Sequence, residues 1–363
     1  MQKTGIVNLP LHGGKAPPWL FRRMVKLSGA ITEVLIYEFG KNEFIRRIAN
    51  PFWFQALACT IGFDWHSSGT TTTTLGALKE VLNKSNLGIK IAGGKGAISR
   101  KAPKEIERFA EEFDMSTNKI KRLIYSSKMS AKVDNSCIQD KYQLYHHCFV
   151  FSEDGKWAVI QQGMYERYAR RYHWLSDNIN SFVNEPHDAI CCDRKENKVL
   201  DMTANESEEV RNISVDIVRD NPKHIEKYLK EPEQKTLQSF ETLSFRPRHS
   251  IINQEKINIE MLKKTYELQP RNYEELVSIK GIGPKTIRSL ALISELIYGK
   301  RASWKDPVKF SFAHGGKDGY PYKISRRHYD KSISILRSAI ENAKIGMKDR
   351  LYAIRRLNKF YRG

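Results

Sequence analysis

Paired cysteines are missing from this chain. Its 363 residues include 5 cysteines, Cys59, Cys137, Cys148, Cys191 and Cys192, an odd number with no Cys-x-x-Cys spacing. That pattern argues against a disulfide framework or a cysteine-held zinc site and fits a reducing cytoplasm. Long apolar runs are missing too. No stretch reaches the roughly 18 residues of a membrane span, and Met1 to Pro10 lacks the apolar centre of a secretion signal. A cytoplasmic, nucleoid-associated protein with no membrane partner is therefore expected. Acidic residues are scarce: 41 Asp and Glu face 61 Lys and Arg, a formal charge of +20. A surplus of this size concentrates polyanions, DNA first and RNA second. It is also uneven, because Lys300 to Gly363 holds 17 basic and 5 acidic residues, or +12.

With 40% hydrophobic residues, the chain can bury a core and organise two or three domains. Residues 1–131 read as a helical N-terminal domain. Trp19 to Gly40 and Phe52 to Gly62 carry apolar residues at helical spacing, Leu75 to Leu82 follows a threonine run, and Pro103 opens a helix marked by Ile106, Phe109 and Ala110. Residues 132–193 change character. Tyr142–Phe151 and Trp157–Gln162, joined by Ser152-Glu153-Asp154-Gly155-Lys156, predict a β-hairpin packed on the first block. Residues 194–237 are polar and read as a linker with helical pieces, and residues 238–363 as a helical region ending in basic helices. The expected class is α+β, mostly α. Three glycine–lysine clusters, at His12–Lys15, Gly93–Lys95 and His314–Lys317, do not fit a nucleotide phosphate loop and read as flexible basic turns.

One segment carries a definite physical signal. Asn272 is a good N-cap for a helix from Tyr273 to Ile279; Lys280-Gly281-Ile282-Gly283-Pro284-Lys285 is a tight turn; Thr286 to Tyr298 is a second helix. Two glycines let the backbone turn and approach a ligand closely. The amides at the start of the second helix then form an anion site. Lys280 and Lys285 add charge, Thr286 adds a hydroxyl, and Ile282 should plug the gap between the helices. The pattern closely resembles the helix-hairpin-helix motif of DNA repair and recombination proteins, which implies sequence-independent contact with double-stranded or structured DNA. Arg170 and Arg171, in a run that interleaves aromatic and basic residues from Tyr165 to Trp174, join the expected DNA contacts.

Three readings of the chemistry stay open. In the first, a metal-dependent nuclease, Asp64, His66 and Asp134 would hold Mg or Mn, with His147 as a further catalytic group. Adjacent strand residues face opposite ways, so His146 and His147 would not both reach one metal. In the second, a DNA glycosylase or abasic-site lyase, resemblance to that superfamily implies Lys285 as the amine nucleophile and Asp306 as its aspartate. The third is a binding module without chemistry. No organic cofactor is expected.

Several unusual segments occur together: Leu9-Pro10-Leu11-His12-Gly13-Gly14-Lys15-Ala16-Pro17, Asp64-Trp65-His66-Ser67-Ser68-Gly69, Tyr145-His146-His147, Gln161-Gln162-Gly163-Met164, Arg170-Arg171-Tyr172-His173-Trp174-Leu175-Ser176 and Ala313-His314-Gly315-Gly316-Lys317-Asp318-Gly319. The chain thereby resembles a prokaryotic family catalogued as domain of unknown function 763, found in archaea and some bacteria. The resemblance implies that the hairpin belongs to a shared architecture. It implies no particular reaction.

Overall fold

The computed structural model describes residues 18–62, 69–166, 168–192, 194–222, 224, 259–308, 326–343 and 345–362. Four helices open it: α1 (Pro18–Phe39), α2 (Lys41–Ala49), α3 (Pro51–Ile61) and α4 (Gly69–Leu82). The start of α3 is fixed locally. The Asn50 side chain accepts from the Phe52 and Trp53 amides at 3.0 and 3.1 Å, and Pro51 occupies the position whose missing N–H costs nothing. The threonine run, expected ahead of a helix at Leu75, lies inside α4. Thr70, Thr71 and Thr74 face the interior, so packing overrides the weak helix preference of β-branched residues.

The centre is an antiparallel sheet of five strands in the order β1-β3-β4-β5-β6: β1 (Ile89–Lys95), β3 (Gln143–Ser152), β4 (Trp157–Tyr165), β5 (Tyr168–Leu175) and β6 (Ala189–Cys191). A small second sheet pairs β2 (Ile138–Gln139) with β7 (Leu200–Asp201). The expected hairpin is β3–β4, closed by a turn in which Gly155 takes φ +87°. Gly93-Gly94-Lys95, expected as a flexible turn, instead completes β1. Gly93 has φ +87°, and a Cβ there would sit 2.2 Å from the His147 carbonyl oxygen, so the close strand pairing requires glycine.

Both faces of the sheet are covered, and alternation along the strands divides their side chains between two cores. Phe149, Phe151, Trp157, Val159, Tyr172 and Trp174 join one core with α5 (Ala102–Glu112), α6 (Thr117–Ser136) and α7 (Glu208–Arg219). Three more helices contribute to it: α8 (Ile259–Leu268), α9 (Tyr273–Ser278) and α10 (Pro284–Tyr298). Cys148, Val150, Ala158, Ile160 and Leu175 face the other core, built with α1 to α4 and with α11 (Arg326–Asn342) and α12 (Met347–Arg362).

Within the stretch read as a linker with helical pieces, α7 buries Val210, Val215, Ile217 and Val218, its apolar residues recurring at helical spacing. The basic C-terminal helices do not stack beside the hairpin segment. Leu336, Ala339, Ile340, Ala353 and Leu357 pack in the core of the N-terminal helices, across the sheet from α9 and α10. Among the described residues, no helix is long and apolar enough to cross a membrane.

Candidate nucleic-acid interface

The segment from Asn272 to Tyr298 folds as helix, tight turn, helix. The Asn272 side chain accepts from the Glu275 amide at 2.9 Å and fixes the start of α9. The turn closes where the Ile282 amide donates to the Ile279 carbonyl at 3.2 Å. Ile282 is 1% exposed and packs with Val277, Ile287 and Leu290, as its place between the glycines predicts. Gly281 takes φ +103°, a backbone conformation that favours glycine, and a Cβ there would displace the flexible end of Met261.

Gly283 is different. It is extended, at φ −140° and ψ −173°, a conformation open to any residue, and a Cβ there would meet nothing within 4 Å. The first bond of α10 runs from the Ile287 amide to the Gly283 carbonyl at 3.0 Å. The amides of Lys285 and Thr286 precede it, in the turn where helix N–H groups have no intrahelical acceptor. They carry the positive end of the helix dipole. Lys280, Pro284 and Lys285 are exposed around them. The turn is also clamped from behind. Lys132 Nζ donates to the Ile279 carbonyl at 3.1 Å, Gln139 Nε2 to the Pro284 carbonyl at 2.7 Å, and Arg288 Nε to Gln139 Oε1 at 2.6 Å.

Asp134 and His147, two of the expected catalytic residues, sit away from the turn. Asp134, on α6, is buried beneath the sheet. Its Oδ2 accepts from Gln161 Nε2 at 2.5 Å and Trp174 Nε1 at 3.1 Å, and its Oδ1 from His187 Nε2 at 2.5 Å. His147 bonds Gln161 Oε1 through Nδ1 at 2.9 Å and Ser127 Oγ through Nε2 at 2.8 Å, and burial lowers its pKa. Asp134 and His147 thus belong to one network bridged by Gln161, and both ring nitrogens of His147 are occupied. Asp64 and His66 lie outside the described residues. Among the described residues, no group of three His, Cys, Asp or Glu side chains gathers as a metal site. Lys285 is exposed, and Asp306, its expected partner in lyase chemistry, is committed to Arg170.

Arg170 and Arg171 do not lie at the surface, so the expectation that they contact DNA there changes. Consecutive strand residues point to opposite faces, and β5 sends one guanidinium into each core. Arg170, 0% exposed, donates to Asp140 Oδ2 at 2.9 Å and to Asp306 at 2.7 and 3.1 Å, above the Tyr142 ring. Burial pushes the Asp140 carboxyl up to about 6, and Arg170 offsets only part of that. Arg171, 1% exposed, donates to His173 Nε2 at 2.8 Å and reaches Gln55 and Thr71 at 3.4 Å.

Strand register places Lys95, His146, Gln162 and Arg171 side by side across β1, β3, β4 and β5. Among the described residues, both ring nitrogens of His146 are buried without a hydrogen-bond partner. Burial, assisted by His147, Lys95 and Lys79, lowers its pKa to about 3. His187 and the Asp140–Arg170–Asp306 triad were not singled out by sequence spacing. The one available signal was the pair of arginines in an otherwise apolar strand, since a buried arginine requires carboxylate or hydrogen-bonding partners.

The family described as Protein of unknown function (DUF763) matches residues 5–324, and the chain belongs to it. No curated protein and no solved structure matches the chain.

Proposed function

We propose that this protein binds the sugar-phosphate backbone of double-stranded or structured DNA through the Lys280–Thr286 turn, acting as a helix-hairpin-helix element in DNA processing or repair. The observation that carries this reading is Gly283. Neither the local backbone conformation nor the surrounding packing requires glycine there. Its bare Cα instead leaves open the approach to the Lys285 and Thr286 amides, where an anion is favoured by free N–H groups and by the helix dipole. Two exposed lysines flank the same turn, and the chain carries +20 overall. A phosphate held by backbone amides is recognised without regard to base, so the reading implies little sequence preference.

Amide resonances test it directly. On titration of the full chain with a short duplex, the Gly283, Lys285 and Thr286 amides are expected to shift together and to saturate. Saturable binding of the duplex that leaves all three unmoved would place the contact elsewhere and remove the hairpin from the account.

A further inference from the structure

The helix that clamps the hairpin turn has a charged face that the fold leaves open. α6 spans 20 residues and holds a single acid, Asp134, which is 1% exposed and bonded inside the core. Its neighbour α5 is mixed by contrast, with Glu105, Glu107, Glu111 and Glu112 among its charges. Leu123, Ser127, Ser130 and Asp134 turn one side of α6 inward. Lys121, Lys128 and Asn135 are exposed on the other side, with Lys132 half-buried beside them. The three lysines follow at intervals of seven and four residues. At 3.6 residues per turn they stay within about 20° of one line along the helix. Among the described residues, no carboxylate pairs with any of the three.

The row runs into the hairpin turn. Lys132 Nζ donates to the Ile279 carbonyl at 3.1 Å, and Gln139, just beyond the end of α6, holds the Pro284 carbonyl at 2.7 Å. Two acids of α9 border the row, and both are engaged. Glu274 accepts from the Tyr125 hydroxyl at 2.7 Å and the Phe182 amide at 3.4 Å, and Glu275 pairs with Arg271 at 3.0 Å. From Lys121 to Lys132 the row is about 16 Å long, at about 1.5 Å per residue. That length matches about five base pairs of duplex, at about 3.4 Å each.

We infer that Lys121, Lys128 and Lys132 form a second backbone-contact surface for double-stranded DNA, carrying the duplex onward from the hairpin along α6. The inference rests on the proposed hairpin contact, because the row gains its direction from the turn it meets. A straight row of cations fits a regular polyanion. Lysine ammonium groups act on phosphates as point charges and read no base edge, as at the hairpin.

The test is the affinity of the full chain for a duplex of about 20 base pairs, much longer than the row, as a function of salt. Lys121→Ala/Lys128→Ala removes two exposed charges from the row. Arg22→Ala/Lys26→Ala removes two exposed charges from α1, which belongs to the core on the other face of the sheet, and is the charge-matched control. The row variant is expected to make the slope of log K against log salt shallower by about 1.8, at about 0.9 per phosphate contact, and the control to leave it unchanged. Should the double variant fail to fold, Lys121→Ala and Lys128→Ala singly are each expected to lower the slope by about 0.9. The Gly283, Lys285 and Thr286 amides are followed in the same proteins. If they shift on saturation with duplex while the row variant keeps the wild-type slope, the row is overturned and the hairpin contact stands. Equal slope changes in row variant and control would also overturn it, since net charge alone would then explain both. Hairpin amides unmoved in the wild type would overturn the hairpin contact and the row together.

Discussion

His146 shows what burial does to a single side chain. Its ring lies in the sheet interior with both nitrogens unpaired among the described residues, and its pKa falls from an ordinary 6.5 to about 3. Between those values the unfolded chain carries a proton on this ring that the folded chain does not. The unfolded state then binds more protons, so stability is complete above about pH 6.5 and is lost as the pH falls towards 3. Each pH unit in that window costs about 1.4 kcal/mol for this group. His146→Leu removes the titration and the two unmet polar atoms. Denaturant unfolding from pH 7 to 3.5 should therefore give a shallower acid limb for the variant, with stability at pH 7 unchanged or about 1 kcal/mol higher. Parallel acid limbs for the two proteins would mean that His146 is not held neutral in the fold. The buried polar side chains of the sheet were only partly legible in the sequence. Alternation along a strand separates Arg170 from Arg171 and His146 from His147, but the partners Asp140, Asp306 and His187 come from distant segments and share no spacing with them.

Local chemistry made some elements readable and hid others. The β3–β4 hairpin was legible because apolar alternation and a glycine turn agree, and the turn before α10 because two glycines, a proline and an N-cap asparagine coincide. β1 was hidden by its own end, where Gly93 and Gly94 look like a turn but serve a close strand contact. The threonines of α4 were hidden because tertiary packing, not intrinsic preference, makes them helical. The two hairpin glycines now separate by role. Gly281→Ala meets both the left-handed backbone and Met261 Cε, and should cost about 1–3 kcal/mol. Gly283→Ala meets neither, and should stay within about 0.5 kcal/mol of wild type. Thermal and denaturant unfolding of the two variants would measure this difference; equal losses would mean that Gly283 serves the fold and not a ligand.

At the scale of the molecule, the five-stranded sheet is a spine between two cores. The helices that present the hairpin belong to one core and the C-terminal basic helices to the other. Sequence distance gave no sign that α11 and α12 return to the N-terminal helices, because that contact depends only on apolar faces meeting late in the chain. The separation changes the meaning of the charge. Under the proposed reading, the hairpin would hold DNA with its own amides, Lys280 and Lys285, while the wider charge of the chain would draw the polyanion in.

The most direct measurement is duplex affinity against salt for the full chain, for Gly283→Val and for the Lys280→Ala/Lys285→Ala double variant. Each phosphate contact contributes about −0.9 to the slope of log K against log salt, so loss of two lysine contacts should make the slope shallower by about 1.8. Gly283→Val should melt like wild type and bind more weakly at every salt concentration, because its side chain occupies the approach to the amides. Three proteins with the same affinity and the same slope would contradict the account.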